Sequence, residues 1–319
     1  MSDPLTWHAV LADWRIPLPG LAVLIAIAAG YLWCARRVRD WPIRHTAWFL
    51  AGLVVIAFAI ADGLNGYSRI LFAMHMVQHL VLIVVAPLCL VLGSPLRLVH
   101  ASAGERARPW LRRFGRSGPV RVAVHPLTSL AVYTLVVVGT HLTPFQQSAL
   151  LHPQLHRLEE LMYLAAGVLL LLRVIGNEPG APRLPALPRL VLLFAAMVVD
   201  AIAGVALLMS PREPFPAYAA VPRHWGPGPV ADIHWGGAIM WVGGDALMAA
   251  IAIIVIAQWV RSPDSSQDLG PWLESARRSA VGAEFDEKVS LDEDDEPLRA
   301  YNAMLARLAS EEASRRRPR

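Results

Sequence analysis

Lysine is nearly missing from this chain: Lys288 is the single one, and every other basic side chain is arginine. Cysteine is scarce as well. Cys34 and Cys89 sit in different apolar runs, so no disulfide framework is indicated, and each is expected to pack as a small apolar residue. Cys89 lies about 15 Å along a helix from His79, too far to share a site with it. Charge is missing from long stretches. Charged residues make up 17% of the chain against 55% hydrophobic ones, which excludes an ordinary soluble protein. Nucleic acid is not an expected partner, because the arginines fall between apolar runs, where a topology signal accounts for them better. No Walker loop, dinucleotide fingerprint, internal repeat or Ser-His-Asp order stands out. The N-terminus shows no basic region leading into a small-residue cleavage site, so the first apolar run is expected to be a retained span.

What is present is a series of apolar runs near 19–36, 44–62, 74–93, 122–141, 157–175, 188–210 and 236–260, each about the 20 residues a bilayer crossing needs. The expected fold is an all-α polytopic helix bundle with about seven transmembrane helices. Arg36, Arg37, Arg39 and Arg44 cluster in the first loop. A larger group from Arg97 to Arg121 fills the third, and Arg173, Arg183 and Arg189 mark the fifth. Basic loops stay inside, which puts the N-terminus outside and the C-terminus in the cytoplasm. The domain reading is a transmembrane domain over 1–261 and a tail over 262–319. The tail turns acidic at 292–296 and is expected to be disordered, apart from a short amphipathic helix near 297–310.

The organising motif is Met74-His75-Met76-Val77-Gln78-His79. Histidines four residues apart share one helix face, with Cβ atoms about 6 Å apart. Inside a membrane such a pair is costly to keep without a task. A second motif, His152-Pro-Gln-Leu-His156-Arg-Leu-Glu159-Glu160, places Pro153 in a first helical turn and His156 on a face with Glu160. Glu159 and Glu160 are also the acids that a helix N-terminus favours. A third, Asp232-Ile-His234-Trp-Gly-Gly-Ala-Ile-Met240-Trp241, opens the last run with small residues that let helices approach closely. All three fall on the outer side in the expected orientation. The expected metal ligands are His75, His79 and His156, with Asp232 close by and His152, Met76 and Met240 in reserve. Asp200 and Asp245 fall near mid-bilayer, as structural hydrogen-bonding groups or as the lining of a polar path. The outer loops, rich in Pro, Trp and Gly, are expected to be ordered caps.

The chain resembles the CtaG family of cytochrome c oxidase (caa-type) assembly factors of the multispan type. The resemblance rests on His75-Met76-x-Gln78-His79 with Ala86-Pro87 and Gly93-Ser-Pro95, on His152-Pro153-x-x-His156, and on Asp232-x-x-x-Gly236-Gly237-x-x-Met240-Trp241. It implies a bacterial plasma-membrane protein that helps assemble haem-copper oxidase by handling copper on the outer side. Its partners would be the oxidase subunits, a soluble copper donor and the lipid bilayer. Imidazole and thioether side chains are ligands that copper uses. Transfer of an ion needs no chemistry on a substrate, so an enzyme is not expected. Two other readings stay open: a metal transporter or zinc-dependent membrane enzyme, and a haem or quinone redox protein.

Overall fold

A backbone in an apolar medium must satisfy its own N–H and C=O groups, and each apolar run does so by forming helix. The computed structural model of the protein describes residues 4–12, 15–176, 178–179, 181 and 183–261. The long helices are α1 (Leu18–Arg37), α2 (Ile43–Ile60), α3 (72–92), α4 (Pro126–His141), α5 (Pro153–Val174), α6 (Ala186–Leu208) and α7 (229–260). Helix α3 runs as Phe72–Leu80, a π turn at Val81–Val85, and Ala86–Leu92. Helix α7 is built the same way, with a π turn at Ile239–Gly243. No strand forms among the described residues beyond an isolated bridge, Glu178 to Ala181. The tail beginning at residue 262, including the expected helix near 297–310, lies outside the described residues.

Among the described residues, five helical stretches are long and apolar enough to cross a membrane: Leu18–Arg37, Ile43–Ile60, Phe72–Ser102, Ala186–Leu208 and Pro229–Val260. The number is six if α4 and the short helix Phe145–Leu151, bent by 69° at a break, form one span. The seven expected runs thus all become helical, but two differ from a plain span. Helix α4 is only 16 residues long because His125-Pro126 interrupts the run ahead of it. Helix α5 carries Arg157, Glu159, Glu160 and Arg173.

Helix α5 occupies the middle of the bundle, with α4, α6 and the π turn and second half of α3 against it. Gly167 sets that distance: a Cβ there would stand 2.0 Å from the Ile83 carbonyl oxygen, on the π turn of α3. Helices α6 and α7 meet backbone to backbone, since a Cβ on Gly237 would stand 2.6 Å from the Gly204 carbonyl oxygen. The expectation of close approach at that glycine pair is met.

Both ends of α3 are tied down. The backbone N–H groups of Phe72 and Ala73, open donors of a first turn, donate to the two carboxylate oxygens of Asp232 at 2.8 and 3.1 Å. At the other end, Tyr31 Oη donates to the Gly93 carbonyl at 2.8 Å, and His45 Nδ1 lies 2.8 Å from the Leu92 carbonyl. Arg97 N–H donates to Glu178 at 2.6 Å, and burial pushes that loop carboxyl up to about 7. The loop before α7 folds inward as an ordered cap. Phe215 and Tyr218 are buried in it, and Tyr218 Oη donates to the Ser68 carbonyl at 3.0 Å.

Candidate metal centre

The i, i+4 spacing puts His75 and His79 on the face of α3 that meets α5, with ring centroids 4.1 Å apart. Helix α5 answers with His156 and Glu159. These four side chains are 0 to 3% exposed. The Glu159 carboxylate lies among the three imidazoles. Its Oε2 is 3.5 Å from His75 Nε2 and 3.4 Å from His156 Nδ1, while Oε1 is 3.6 Å from His79 Nε2. Ligand atoms of His75, His156 and Glu159 all lie within 4.8 Å of one another.

Those separations are long for charge-assisted hydrogen bonds, which close to about 2.7–2.9 Å. They match the edge of a tetrahedron, about 3.4 Å, around an ion bonded to N and O at about 2.1 Å. The unmatched atoms point the same way. Among the described residues, neither ring nitrogen of His79 has a hydrogen-bond partner, and Glu159 Oε1 has none either. A closed structural network would not leave them so, because each buried, unpaired polar atom costs about 1–3 kcal/mol. The residues present therefore fit a borderline divalent ion.

Supporting groups surround the cluster. His156 Nε2 lies 3.1 Å from Asn65 Oδ1 and 3.5 Å from Glu160 Oε1. Gln78 Nε2 donates to Glu160 and to the Ala59 carbonyl, both at 2.9 Å. The Gln146 side-chain amide is 3.0 Å from His75 Nε2. Tyr163 stacks flat on His79 at 3.7 Å between centroids. Such groups orient ligands and tune their basicity.

The expected ligands divide. His75, His79 and His156 come together. Asp232 does not join them: its carboxylate caps α3, with Arg223 Nη2 at 3.6 Å, so it positions the histidine helix. His152 is exposed at the start of α5, with Nδ1 2.9 Å from the Ser148 carbonyl. Met76 faces Gly236 on α7 and belongs with Met240 to the apolar core. Sequence reasoning gave Glu159 no ligand role. His141 has no place among the expected ligands either, yet it is buried beside His79 with ring centroids 5.4 Å apart. Asp200 accepts a hydrogen bond from Tyr133 Oη at 2.7 Å, in a separate place on α6.

The class of protein this defines is a bundle of apolar helices of the kind that crosses membranes, with a buried His–carboxylate cluster inside it. The family model for the cytochrome c oxidase caa3 assembly factor matches residues 29–262, and the chain belongs to that family. Among curated proteins it is similar to an uncharacterized protein of Mycobacterium bovis and one of Mycobacterium tuberculosis. Each is 30% identical over 97% of this chain and 46% of the relative. A Mycobacterium leprae protein is 29% identical over 93% of this chain and 44% of the relative. The chain thus spans a little under half the length of these relatives. No solved structure matches it.

Proposed function

We propose that this protein binds copper in the cluster between α3 and α5 and delivers it to a subunit of cytochrome c oxidase during assembly. The observation that carries the reading is the fully buried Glu159 carboxylate, 3.4–3.6 Å from three imidazoles and with one oxygen unpartnered. His75, His156 and Glu159 hold the ion, with His79 beside it. The set has no sulfur donor, and imidazole with carboxylate suits a divalent ion. The family assignment supports copper as the cargo.

The proposed setting is a bacterial plasma membrane crossed by all seven long helices, N-terminus outside and C-terminus inside. The arginine clusters support it. The cluster then lies in the first turns of α3 and α5, near the outer surface, within reach of a soluble copper donor. No substrate is transformed. A second reading, a zinc-dependent membrane enzyme, draws on Glu160, a carboxylate 3.5 Å from His156 that is placed to act as a base.

Metal analysis of the purified full chain tests the function. Copper is expected in the parent and reduced in His75→Ala and His156→Ala, both still inserted, while cells carrying them keep oxidase haem but lose oxidase copper. Zinc alone in the parent, unchanged by copper loading, would favour the enzyme. For topology, a reporter fused after Arg116 is expected on the cytoplasmic side; a signal from the outer side would move the cluster to the opposite face.

A further inference from the structure

We infer that the cluster is built for two metal ions bridged by Glu159, the second held by His79 and His141. This deepens the copper reading above and rests on it.

The first point is that Glu159 faces two ways. Oε2 looks to His75 and His156, and Oε1 looks to His79. A carboxylate whose two oxygens serve different imidazoles is the arrangement that joins two ions about 3.5–4 Å apart. The second point is His141. Its Nδ1 lies 3.0 Å from the Val137 carbonyl, one turn back on α4. A carbonyl can only accept, so Nδ1 carries the proton and Nε2 presents a lone pair. A backbone carbonyl on one nitrogen is how proteins fix the tautomer of a ligating histidine. His141 Nε2 is buried with no hydrogen-bond partner among the described residues.

Neighbouring contacts agree with that tautomer. Thr140 Oγ1 donates to the Val136 carbonyl at 2.8 Å, so at 2.7 Å from Tyr163 Oη it accepts the phenol proton. Tyr163 is thereby locked, and its ring stacks flat on His79. His79 is thus held in orientation, while neither of its nitrogens has a partner. Two buried imidazoles, fixed by other groups and with bare nitrogens, meet edge to face with centroids 5.4 Å apart, and His79 Nε2 lies 3.6 Å from Oε1 of Glu159. A structural role for His79 and His141 offers no use for those nitrogens; an ion does.

The test is titration of the detergent-purified, metal-stripped full chain with Cu(II), read by metal content and electron paramagnetic resonance. The parent is expected to saturate at about two copper ions per chain. Its spin signal should be far weaker than that of isolated ions, because the bridge couples them. His141→Ala is expected to fall to about one, with an uncoupled signal. Saturation of the parent at one ion overturns the second position and leaves the copper reading standing. Two ions without coupling overturns the bridge. No copper at all overturns both. If His141→Ala does not accumulate, the parent's stoichiometry and spin signal decide alone.

Discussion

Glu159→Gln is expected to weaken copper binding by at least about 100-fold, beyond what loss of a supporting group around a metal costs. Glutamine keeps the shape and removes the negative charge. The side chain is wholly buried and within 3.6 Å of three imidazoles, so no other carboxylate takes its place there. Glu160→Gln removes a charge one position further on, from a group already held by Gln78, and is expected to cost about 10-fold. Competition against a chelator of known affinity measures both. Equal affinity in Glu159→Gln and parent would show the cluster to be a structural network, and the copper proposal would fall with it.

Gly167→Ala has the largest expected effect on the fold. The added methyl would stand 2.0 Å from the Ile83 carbonyl oxygen and 2.7 Å from Pro87 Cγ. Neither neighbour is the far end of a flexible side chain. One is backbone and the other a ring, so α3 and α5 must part. Overpacking costs about 1–3 kcal/mol where side chains can shift, and about 3 kcal/mol or more is expected here. Gly139→Ala is the control. A Cβ there meets nothing within 4 Å, and alanine gains about 1 kcal/mol of helix propensity. Thermal unfolding in detergent compares them. A midpoint for Gly167→Ala equal to the parent's would mean that α3 and α5 are further apart than described. A parallel loss of copper would show that their separation positions Glu159 against the histidines.

Much of the frame was legible because an apolar medium leaves the backbone few options. Each long apolar run became a helix, though Arg173 and Arg189, read as loop residues, lie inside α5 and α6. The i, i+4 histidines were legible for the same reason: spacing alone fixes their common face. The division between Glu159 and Glu160 was not, since residues three and four beyond His156 both lie near its face. Which one turns inward depends on where α3 sits, and that is set by Gly167. His141 ends α4 with no ligand-type residue one turn away, so no local pattern singles it out; only α5 and α3 bring it to His79. Asp232 stood at a helix start, where an acid favours its own helix dipole. In the fold it serves the N-terminus of a different helix, α3. The two π turns had no signal either, because nothing in Val-Leu-Ile-Val-Val marks a change of hydrogen-bond pattern.

The π turn at Val81–Val85 holds one residue more than an α turn would, and it separates the histidine face of α3 from Pro87 and Gly93. Both halves are anchored independently, one by Asp232 and the other by Tyr31. Removing a single residue there would leave a sound α-helix but swing one half against the other by about 100°. In comparisons among homologues, a one-position gap between His79 and Pro87 is therefore a change of rotation, not of length. A relative aligned without that gap in its true place would have its cluster-facing side chains matched to outward-facing ones.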